Sequence, residues 1–367
     1  MRLLLFGDLH LDAAFAWATA EVAAERRAAL RRTLTRICDL AVEQQVDAVC
    51  CSGDLYEQER FTPDTAALLR SEFARISPIK VFLAPGNHDW LGPASIYRQV
   101  TWSENVHLFT EPELRPVPLA AGITLWGAGH CAPATTAGFL DGFTATGEGV
   151  HLALFHGSEQ GELEFEGAEK RPHAPFRASQ LRAAGLHHAL LGHFHTARHA
   201  TDHTYPGNPE PLTFGETGER GAVLVTVASD GSIGRQVFAV ATSAVHDVAV
   251  DLSGIEHSGE IFERVAAALA GLRGTARVTV AGEVGPEVEV SLAGLAEAAP
   301  AGLSVVPRLG RVTVRYDFDA LAAEKTVRGQ FVRSVRAADE LSDDQRRRIL
   351  ITGLRALDGR RQDLEVH

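Results

Sequence analysis

The chain lacks any apolar run approaching the roughly 20 residues that a membrane-spanning helix needs. Its apolar start at residues 3–6 meets Gly7-Asp8 too soon for a signal peptide, so we expect a cytoplasmic protein with no membrane partner. Lysine is scarce, with Lys80, Lys170 and Lys325 among 35 basic residues, against 47 acidic ones and a net charge of −12. That charge argues against nucleic-acid binding through a broadly basic surface, although a local basic groove or divalent cations can still neutralise phosphates.

Cysteine is also sparse, and the four cysteines form no C-x-x-C pair. Cys50 and Cys51 are neighbours in an apolar run predicted as a strand, where successive side chains point to opposite faces. We therefore expect buried free thiols rather than a disulfide or a zinc site.

A length of 367 residues predicts about two domains. Residues 1–240 alternate strand and helix and then become strand-rich, which predicts a parallel sheet covered by helices beside a more antiparallel sheet. The predicted strands are 2–6, 47–52, 79–84, 106–109, 123–126, 150–155, 189–191, 222–227 and 236–240. The predicted helices are 21–45 and 62–76, the second with Thr62 as N-cap and Pro63 at its first position.

Two further segments follow. Residues 241–320 predict a compact α+β unit with strands at 248–252, 276–281 and 310–318 and helices at 258–272 and 290–298. Residues 321–367 predict helices in two pieces over 326–357, the second opened by a capping box at Ser342 and Gln345. We expect Ile349, Leu350, Leu354 and Leu357 to line one side of that helix. The hairpin can pack on its own domain or dock a partner's helix.

Five apolar runs end in side chains that bind metals or move protons. They are Asp8 and His10; Asp54; Asn87 and His88; His156; and His193 and His195. Residues past the carboxyl ends of parallel strands converge on one crevice, so we expect these side chains to be neighbours in space. Adjacent glycines would let the backbone turn sharply there.

In the D-x-H pair and in the H-x-H pair, the two named residues are two positions apart. In an extended backbone, side chains at this spacing point the same way. Seven of the side chains form an oxygen and nitrogen ligand set without sulfur: two carboxylates, one amide and four imidazoles. This set suits Mn²⁺, Fe²⁺ or Zn²⁺ in a catalytic site. Seven ligands with one shared carboxylate give four contacts to each of two metals, an arrangement suited to in-line displacement at phosphorus.

Taken together, the patterns D-x-H, G-D, G-N-H-D, H and G-H-x-H over residues 1–240 resemble the calcineurin-like metallophosphoesterases. Within that superfamily the chain looks like the SbcD-type nucleases of DNA double-strand-break repair. The residues that carry this finer likeness are Gly53-Asp54-Leu55-Tyr56, residues 84–89, residues 191–195 and the run Tyr205-Pro206-Gly207-Asn208-Pro209-Glu210-Pro211-Leu212.

The resemblance implies a four-layer αββα sandwich in the α/β class over 1–240, a small capping domain over 241–320 and C-terminal helices over 321–367. It implies that Asp8, His10, Asp54 and His195 hold one metal, and that Asp54, Asn87, His156 and His193 hold the other. His88 is then the general acid, and Asp89 supports His88 or a neighbouring ligand. The ions are expected to be Mn²⁺, with Fe²⁺ or Zn²⁺ as alternatives.

One position departs from the family pattern. The family often has Asp or His three residues after the bridging aspartate, where this chain has Glu57. We assign Glu57, with its neighbour Tyr56, to substrate contact rather than to metal binding.

We expect a metal-bridging hydroxide to attack a phosphodiester in line, with His88 protonating the leaving oxygen. The resemblance implies DNA as substrate, exonuclease and endonuclease activity, a homodimer and an SbcC-type coiled-coil ABC ATPase as partner. The 326–357 hairpin is the candidate docking element for that ATPase.

Two alternatives stay open at this point. One is a phosphodiesterase or phosphatase for nucleotides or other small molecules, which the acidic net charge favours. The other is a non-catalytic metal-binding scaffold for an ATPase, which the intact His88 argues against.

Overall fold

A computed structural model describes residues 1–134, 138–161 and 172–359. The chain divides into two compact units, Met1–Ala244 and Val245–His367. The division lies four residues after the predicted boundary at 240, and the helices after residue 320 belong to the second unit rather than to a third. None of the helices in these ranges is long and apolar enough to cross a membrane.

The first unit contains twelve strands and four helices among its described residues. The strands are β1 (Arg2–Phe6), β2 (Ala48–Cys51), β3 (Lys80–Leu83), β4 (Val106–Leu108), β5 (Arg115–Ala120), β6 (Ile123–Gly127), β7 (Val150–His156), β8 (His188–Gly192), β9 (Arg198–His199), β10 (His203–Tyr205), β11 (Gly221–Val227) and β12 (Ile233–Ala239). The helices are α1 (Ala20–Glu43), α2 (Pro63–Arg75), α3 (Ile96–Gln99) and α4 (Ala178–Ala183).

These strands form two mixed six-stranded sheets. The first has the order β12-β11-β1-β2-β3-β4, and the second has the order β5-β6-β7-β8-β10-β9. Strands β1 to β4 are parallel to one another, as are β6, β7, β8 and β10, while the remaining pairings are antiparallel. Each sheet therefore offers the carboxyl ends of several parallel strands at one edge.

The side chains alternate between the two faces of each sheet, so both faces are covered and the unit has four layers: helices, two sheets and helices. In β1, Leu3 and Leu5 enter the core between the two sheets, whereas Leu4 and Phe6 enter the core beneath the helices. Cys50 and Cys51 divide in the same way. A third core lies on the outer face of the second sheet and includes Leu181 of α4. The predicted αββα sandwich is confirmed.

Several local features of this unit differ from the prediction: strands β5, β9 and β10 and helix α4 were not predicted, and one cysteine is not buried. Strand β5 was not predicted because it contains Pro116 and Pro118, which are tolerated there since β5 is an edge strand. Cys131 is exposed rather than buried, whereas the other three thiols are buried, because Cys131 lies in a loop beyond β6 and outside the sheets.

The second unit has three strands and five helices within residues 245–359. The strands are β13 (Val245–Asp251), β14 (Gly274–Val284) and β15 (Leu303–Val314), and the helices are α5 (Ser258–Leu269), α6 (Leu292–Glu297), α7 (Phe318–Ala323), α8 (Val327–Arg336) and α9 (Asp343–Leu357). All three strands are parallel, in the order β13-β14-β15. The unit expected as α+β therefore has the alternating βαβαβ pattern of an α/β arrangement.

The final helices share a small core with the end of β15. This core contains Val314, Tyr316 and Leu321. On α9 the buried side chains are Leu350, Ile351 and Leu354, whereas Ile349 and Leu357 are exposed, so the predicted apolar side is rotated. Asp317 caps α7 and ends the extended segment before Phe318. The capping box of Ser342 and Gln345 is present.

Candidate metal centre

The predicted site residues meet where the parallel strands of both sheets end. Asp8, Asp54 and Asn87 follow β1, β2 and β3 of the first sheet. His156 ends β7 of the second sheet, and His193 directly follows β8. The carboxyl edges of the two sheets thus supply one site, as the strand-end pattern predicts.

The backbone at several of these positions is not extended, so the condition under which side chains two residues apart point the same way is not met there. Asp8, His10 and Asp54 have φ of 52°, 51° and 50°, in the left-handed region that non-glycine residues rarely adopt. Two parallel loops hold this conformation, because Asp8 N–H donates to Gly53 O and His10 N–H donates to Asp54 O, each at 2.9 Å. Strain of about 1–3 kcal/mol per residue persists only where the surroundings enforce it, and such residues concentrate at functional sites.

Glycine serves the site mainly through close approach. A Cβ atom on Gly86 would lie 2.7 Å from the backbone nitrogen of Asp54. Five glycines lie beside the site residues, at positions 7, 53, 86, 157 and 192, and only Gly53 among them has positive φ, at 98°.

Three groups of ligand atoms lie close together among the described residues, and in each group the atoms lie within 4.8 Å of one another. Two sets contain only predicted metal ligands and have Asp8 in common: one is Asp8, His10 and His195, and the other is Asp8, Asp54 and His156. The third group is His10, Glu57 and His88. Asp54 Oδ2 lies 3.3 Å from His156 Nε2 and 3.7 Å from His10 Nε2. One carboxylate oxygen therefore faces imidazoles of both sets.

Two further predicted ligands lie beside His156. Asn87 Oδ1 is 3.1 Å from His156 Nε2, and the ring centroid of His193 is 5.2 Å from that of His156. The His193 backbone N–H donates to both carboxylate oxygens of Asp8, at 3.0 and 3.1 Å. All seven predicted ligands thus fall within one neighbourhood.

Three of the histidines have their Nδ1 atoms engaged on the side away from this space. Glu57 Oε1 lies 2.7 Å from Nδ1 of His10, and Glu216 Oε1 lies 2.7 Å from Nδ1 of His195. The Ser52 carbonyl oxygen lies 2.9 Å from Nδ1 of His156. A proton on Nδ1 leaves the Nε2 lone pair for a metal, a pattern common among metal-ligating histidines.

His10 Nε2 is buried and has no hydrogen-bond partner within the described part of the chain. A buried polar atom without a partner is unfavourable unless a ligand satisfies it. This nitrogen and the surrounding carboxylate and imidazole groups form a site that fits a divalent cation.

His88 lies beside the ligand sets and remains accessible. Its side chain is 47% exposed, and its ring centroid is 4.7 Å from that of His10. Its backbone N–H donates to Asp54 Oδ1 at 2.8 Å, and its Nδ1 lies 3.0 Å from Glu57 Oε2. The hydrogen bond to Glu57 and the charge of Asp54 raise the pKa of His88 to about 9, against the opposing effect of burial.

Glu57 and Tyr56 differ from their predicted role in substrate contact. Both carboxylate oxygens of Glu57 are engaged, one with His10 and one with His88. Tyr56 is 0% exposed, and its hydroxyl donates to Gln58 Oε1 at 2.8 Å. A fully buried ring cannot touch a substrate in this structure, so the assignment of Tyr56 is wrong, and Glu57 supports two site histidines instead.

Asp89 supports a ligand rather than His88. Its buried carboxylate accepts hydrogen bonds from the backbone N–H groups of Asp54 (3.1 Å), Leu55 (2.8 Å) and Gly86 (2.6 Å), and from the Tyr97 hydroxyl (2.5 Å). Asp89 therefore joins the loop after β2 to the loop after β3. Burial and the charge of Asp54 raise the pKa of Asp89 to about 6.

Some residues around the site were not predicted. Glu216 lies 21 residues from His195 and Tyr97 lies 8 residues from Asp89, and no spacing rule identifies either residue. His130, which matches no motif, lies with its Nε2 2.8 Å from the carbonyl oxygen of His156. The run 205–212 was noted in the sequence because it resembles SbcD-type nucleases, but no role was assigned to its residues.

A two-sheet sandwich that gathers these acids, amide and histidines at its strand ends is the arrangement of a metallophosphoesterase. Residues 1–197 match the family model described as calcineurin-like phosphoesterase, and the chain belongs to that family. The predicted superfamily is thereby confirmed.

A curated relative is named "uncharacterized metallophosphoesterase YhaO", from Bacillus subtilis (strain 168). It is 27% identical over 278 residues, which cover 70% of this chain and 65% of the relative. The match thus spans less than two thirds of the relative's length.

Two solved structures are also similar. TT1561 of Thermus thermophilus is 13% identical, covering 64% of this chain and 98% of its own, with a TM-score of 0.38. YfcE, a phosphoesterase from E. coli, is 14% identical, covering 65% and 99%, with a TM-score of 0.28. Scores this low support no conclusion about the present chain.

Proposed function

We propose that the chain is a two-metal phosphodiesterase that cleaves DNA as an SbcD-type exonuclease and endonuclease. The phosphodiesterase proposal rests mainly on the contacts of the Asp54 carboxylate. One of its oxygens faces imidazoles of both ligand sets, while the other fixes the backbone of the accessible His88. One carboxylate thus joins the two candidate cation sites to the candidate proton donor.

We assign the ligands to two ions as the family resemblance implies. Asp8, His10, Asp54 and His195 would hold one ion, and Asp54, Asn87, His156 and His193 the other. Ions bound there, in our proposal Mn²⁺, would act as Lewis acids and lower the pKa of an attacking water.

His88 is the proton donor in this proposal. The hydrogen bond to Glu57 and the charge of Asp54 raise its pKa to about 9, which favours the protonated form, and its exposure lets it reach the oxygen that leaves phosphorus. The proton passes from the imidazolium to the leaving oxygen as the P–O bond breaks. Glu57 orients the ring through Nδ1, so the other ring nitrogen is the one left to donate.

The proposal of DNA as the substrate rests on the resemblance of four sequence runs, including residues 205–212, to SbcD-type nucleases. The second candidate is a nucleotide or other small phosphodiester, and the net charge of −12 favours it, because acidic proteins repel polyanions.

The resemblance also supports a homodimer and an SbcC-type coiled-coil ABC ATPase as partner, with α8 and α9 as the docking element. The molar mass in solution, measured by light scattering with and without the candidate ATPase, tests both proposals. A monomer that does not associate would contradict them.

The substrate is tested with purified chain and Mn²⁺, comparing single-stranded DNA, double-stranded DNA, cyclic nucleotides and linear nucleotides. Asp54→Asn serves as the inactive control, and Glu59→Gln, an exposed change nearby, as the matched active control. We expect Mn²⁺-dependent DNA cleavage that Asp54→Asn abolishes. Turnover of nucleotides alone would favour the second candidate, and no turnover by wild type would contradict the phosphodiesterase proposal.

A further inference from the structure

The carboxylate of Glu216, in the segment 205–220, binds both the site residue His195 and other residues of its own segment. Glu216 Oε1 lies 2.7 Å from His195 Nδ1. Its other oxygen accepts hydrogen bonds from Asn208 Nδ2 (2.6 Å) and from the backbone N–H groups of Leu212 (2.6 Å) and Thr213 (3.3 Å). The carboxylate cannot rotate away from His195 without breaking several of these bonds.

The backbone of His195 is held by the same segment. Arg220 Nη1 donates to the carbonyl oxygen of His195 at 2.7 Å and also to Asn208 Oδ1, and its Nε donates to the carbonyl oxygen of Glu216 at 2.9 Å. The Asn208 N–H donates to His195 O at 3.2 Å. Both the ring and the main chain of this residue are therefore constrained.

The segment is itself anchored to α1 through a buried ion pair. Glu210 is 0% exposed and Arg26 is 2% exposed, with Nη2 and Oε1 3.3 Å apart. The second oxygen of Glu210 accepts from Thr33 Oγ1 and from the backbone N–H of Thr242, each at 2.7 Å. Breaking a buried pair of this kind is strongly unfavourable, so the loop has a fixed attachment.

We propose that Asn208, Glu216 and Arg220 form a clamp that aims Nε2 of His195 at Asp8 and His10, with Glu216 as the positioning residue. The inference rests on the proposed function, because it treats His195 as a metal ligand. It assigns a role to the run 205–212, which the chemistry of the site does not otherwise use. A carboxylate on Nδ1 fixes the ring orientation and raises the basicity of Nε2 toward a cation.

The test is Mn²⁺ binding to the full chain, measured by calorimetry and by the electron paramagnetic resonance of bound ion. Glu216→Gln keeps the size of the side chain, but its single oxygen cannot serve His195 and the loop donors together. Glu219→Gln, an exposed change three residues along, is the matched control. Thermal unfolding of the metal-free proteins reports whether each variant is folded.

We expect Glu216→Gln to weaken one of two Mn²⁺ sites by about 10–100-fold, while the other site and the control stay close to wild type. Turnover should fall at limiting Mn²⁺ and recover at excess Mn²⁺, with the KM for substrate little changed. A purely structural role would lower the unfolding temperature without this selective loss of one site.

Wild-type affinity at both sites in a folded Glu216→Gln chain would overturn the inference. If that variant does not fold, Asn208→Ala, which removes one donor and leaves Glu216 in place, must weaken the same site by a smaller factor, and unchanged binding would likewise overturn it. A wild type that binds two Mn²⁺ ions but cleaves no phosphodiester refutes the proposed function, while the binding comparison still decides the clamp.

Discussion

Replacing Glu57 by Gln should lower the pH at which activity declines on the alkaline side. Glu57 is the largest cause of the raised pKa of His88 and lies 3.0 Å from its Nδ1. A proton donor works only while protonated, so the rate falls as pH rises through its pKa. Removing the carboxylate charge lowers that pKa and moves the alkaline limb toward neutral pH.

The size of the expected pKa shift follows from the distance between Glu57 and His88. An opposite charge at this distance shifts a pKa by about 1–3 units, and the exposure of His88 to solvent places the effect near the lower end. We therefore expect a shift of about one unit. Bound cations would lower the pKa in both proteins, so the prediction concerns the difference between wild type and variant rather than either absolute value.

The assay is kcat against pH from 6 to about 10, at saturating Mn²⁺, because Glu57 also supports His10. Glu59→Gln is the control for a loss of charge nearby. An alkaline limb that stays in place in a folded, metal-loaded Glu57→Gln enzyme would refute the assignment of His88 as a donor held by Glu57.

Three further changes have expected outcomes. His88→Gln should reduce turnover by about 10²–10⁴-fold on an alkyl phosphodiester but much less on a p-nitrophenyl ester, whose leaving group needs little protonation; equal losses in steady-state assays of the two substrates would contradict the donor role. Asp89→Asn should lower the free energy of unfolding in urea by only about 1 kcal/mol, because the cost of turning an amide donor toward the Leu55 N–H is partly offset by the removal of a charge that burial and Asp54 disfavour, and an unchanged midpoint would argue against this contact. Arg26→Met should cost about 3–5 kcal/mol by leaving Glu210 buried without its partner, and the double change with Glu210→Met should recover much of that stability in the same urea titration.

The strand-end rule explains why much of the site could be predicted. Asp8, Asp54 and His156 each end or follow an apolar strand, and strand ends of a parallel sheet meet whatever their separation in sequence. Alternation also predicted that Cys50 and Cys51 point to opposite faces of their strand, and in the structure they enter different cores.

The supporting residues could not be predicted in this way. Glu216 reaches His195 across a loop that has no periodicity, and the left-handed backbone of Asp8 and His10 is imposed by a neighbouring loop rather than by their own preference. Strand propensity also gave a wrong result for β5. Its two prolines argue against a strand, but the edge position of β5 accommodates them. Tyr56 was misassigned because a motif position carries no information about burial.

In the proposed function, two cations would share the carboxylate of Asp54. Electron paramagnetic resonance of the Mn²⁺-loaded chain tests it directly, because ions about 3.5–4 Å apart give the spectrum of an exchange-coupled pair. We predict two Mn²⁺ per chain with a coupled spectrum in wild type and loss of the coupled spectrum in Asp54→Asn. A single ion per chain, or two uncoupled ions, would contradict the account.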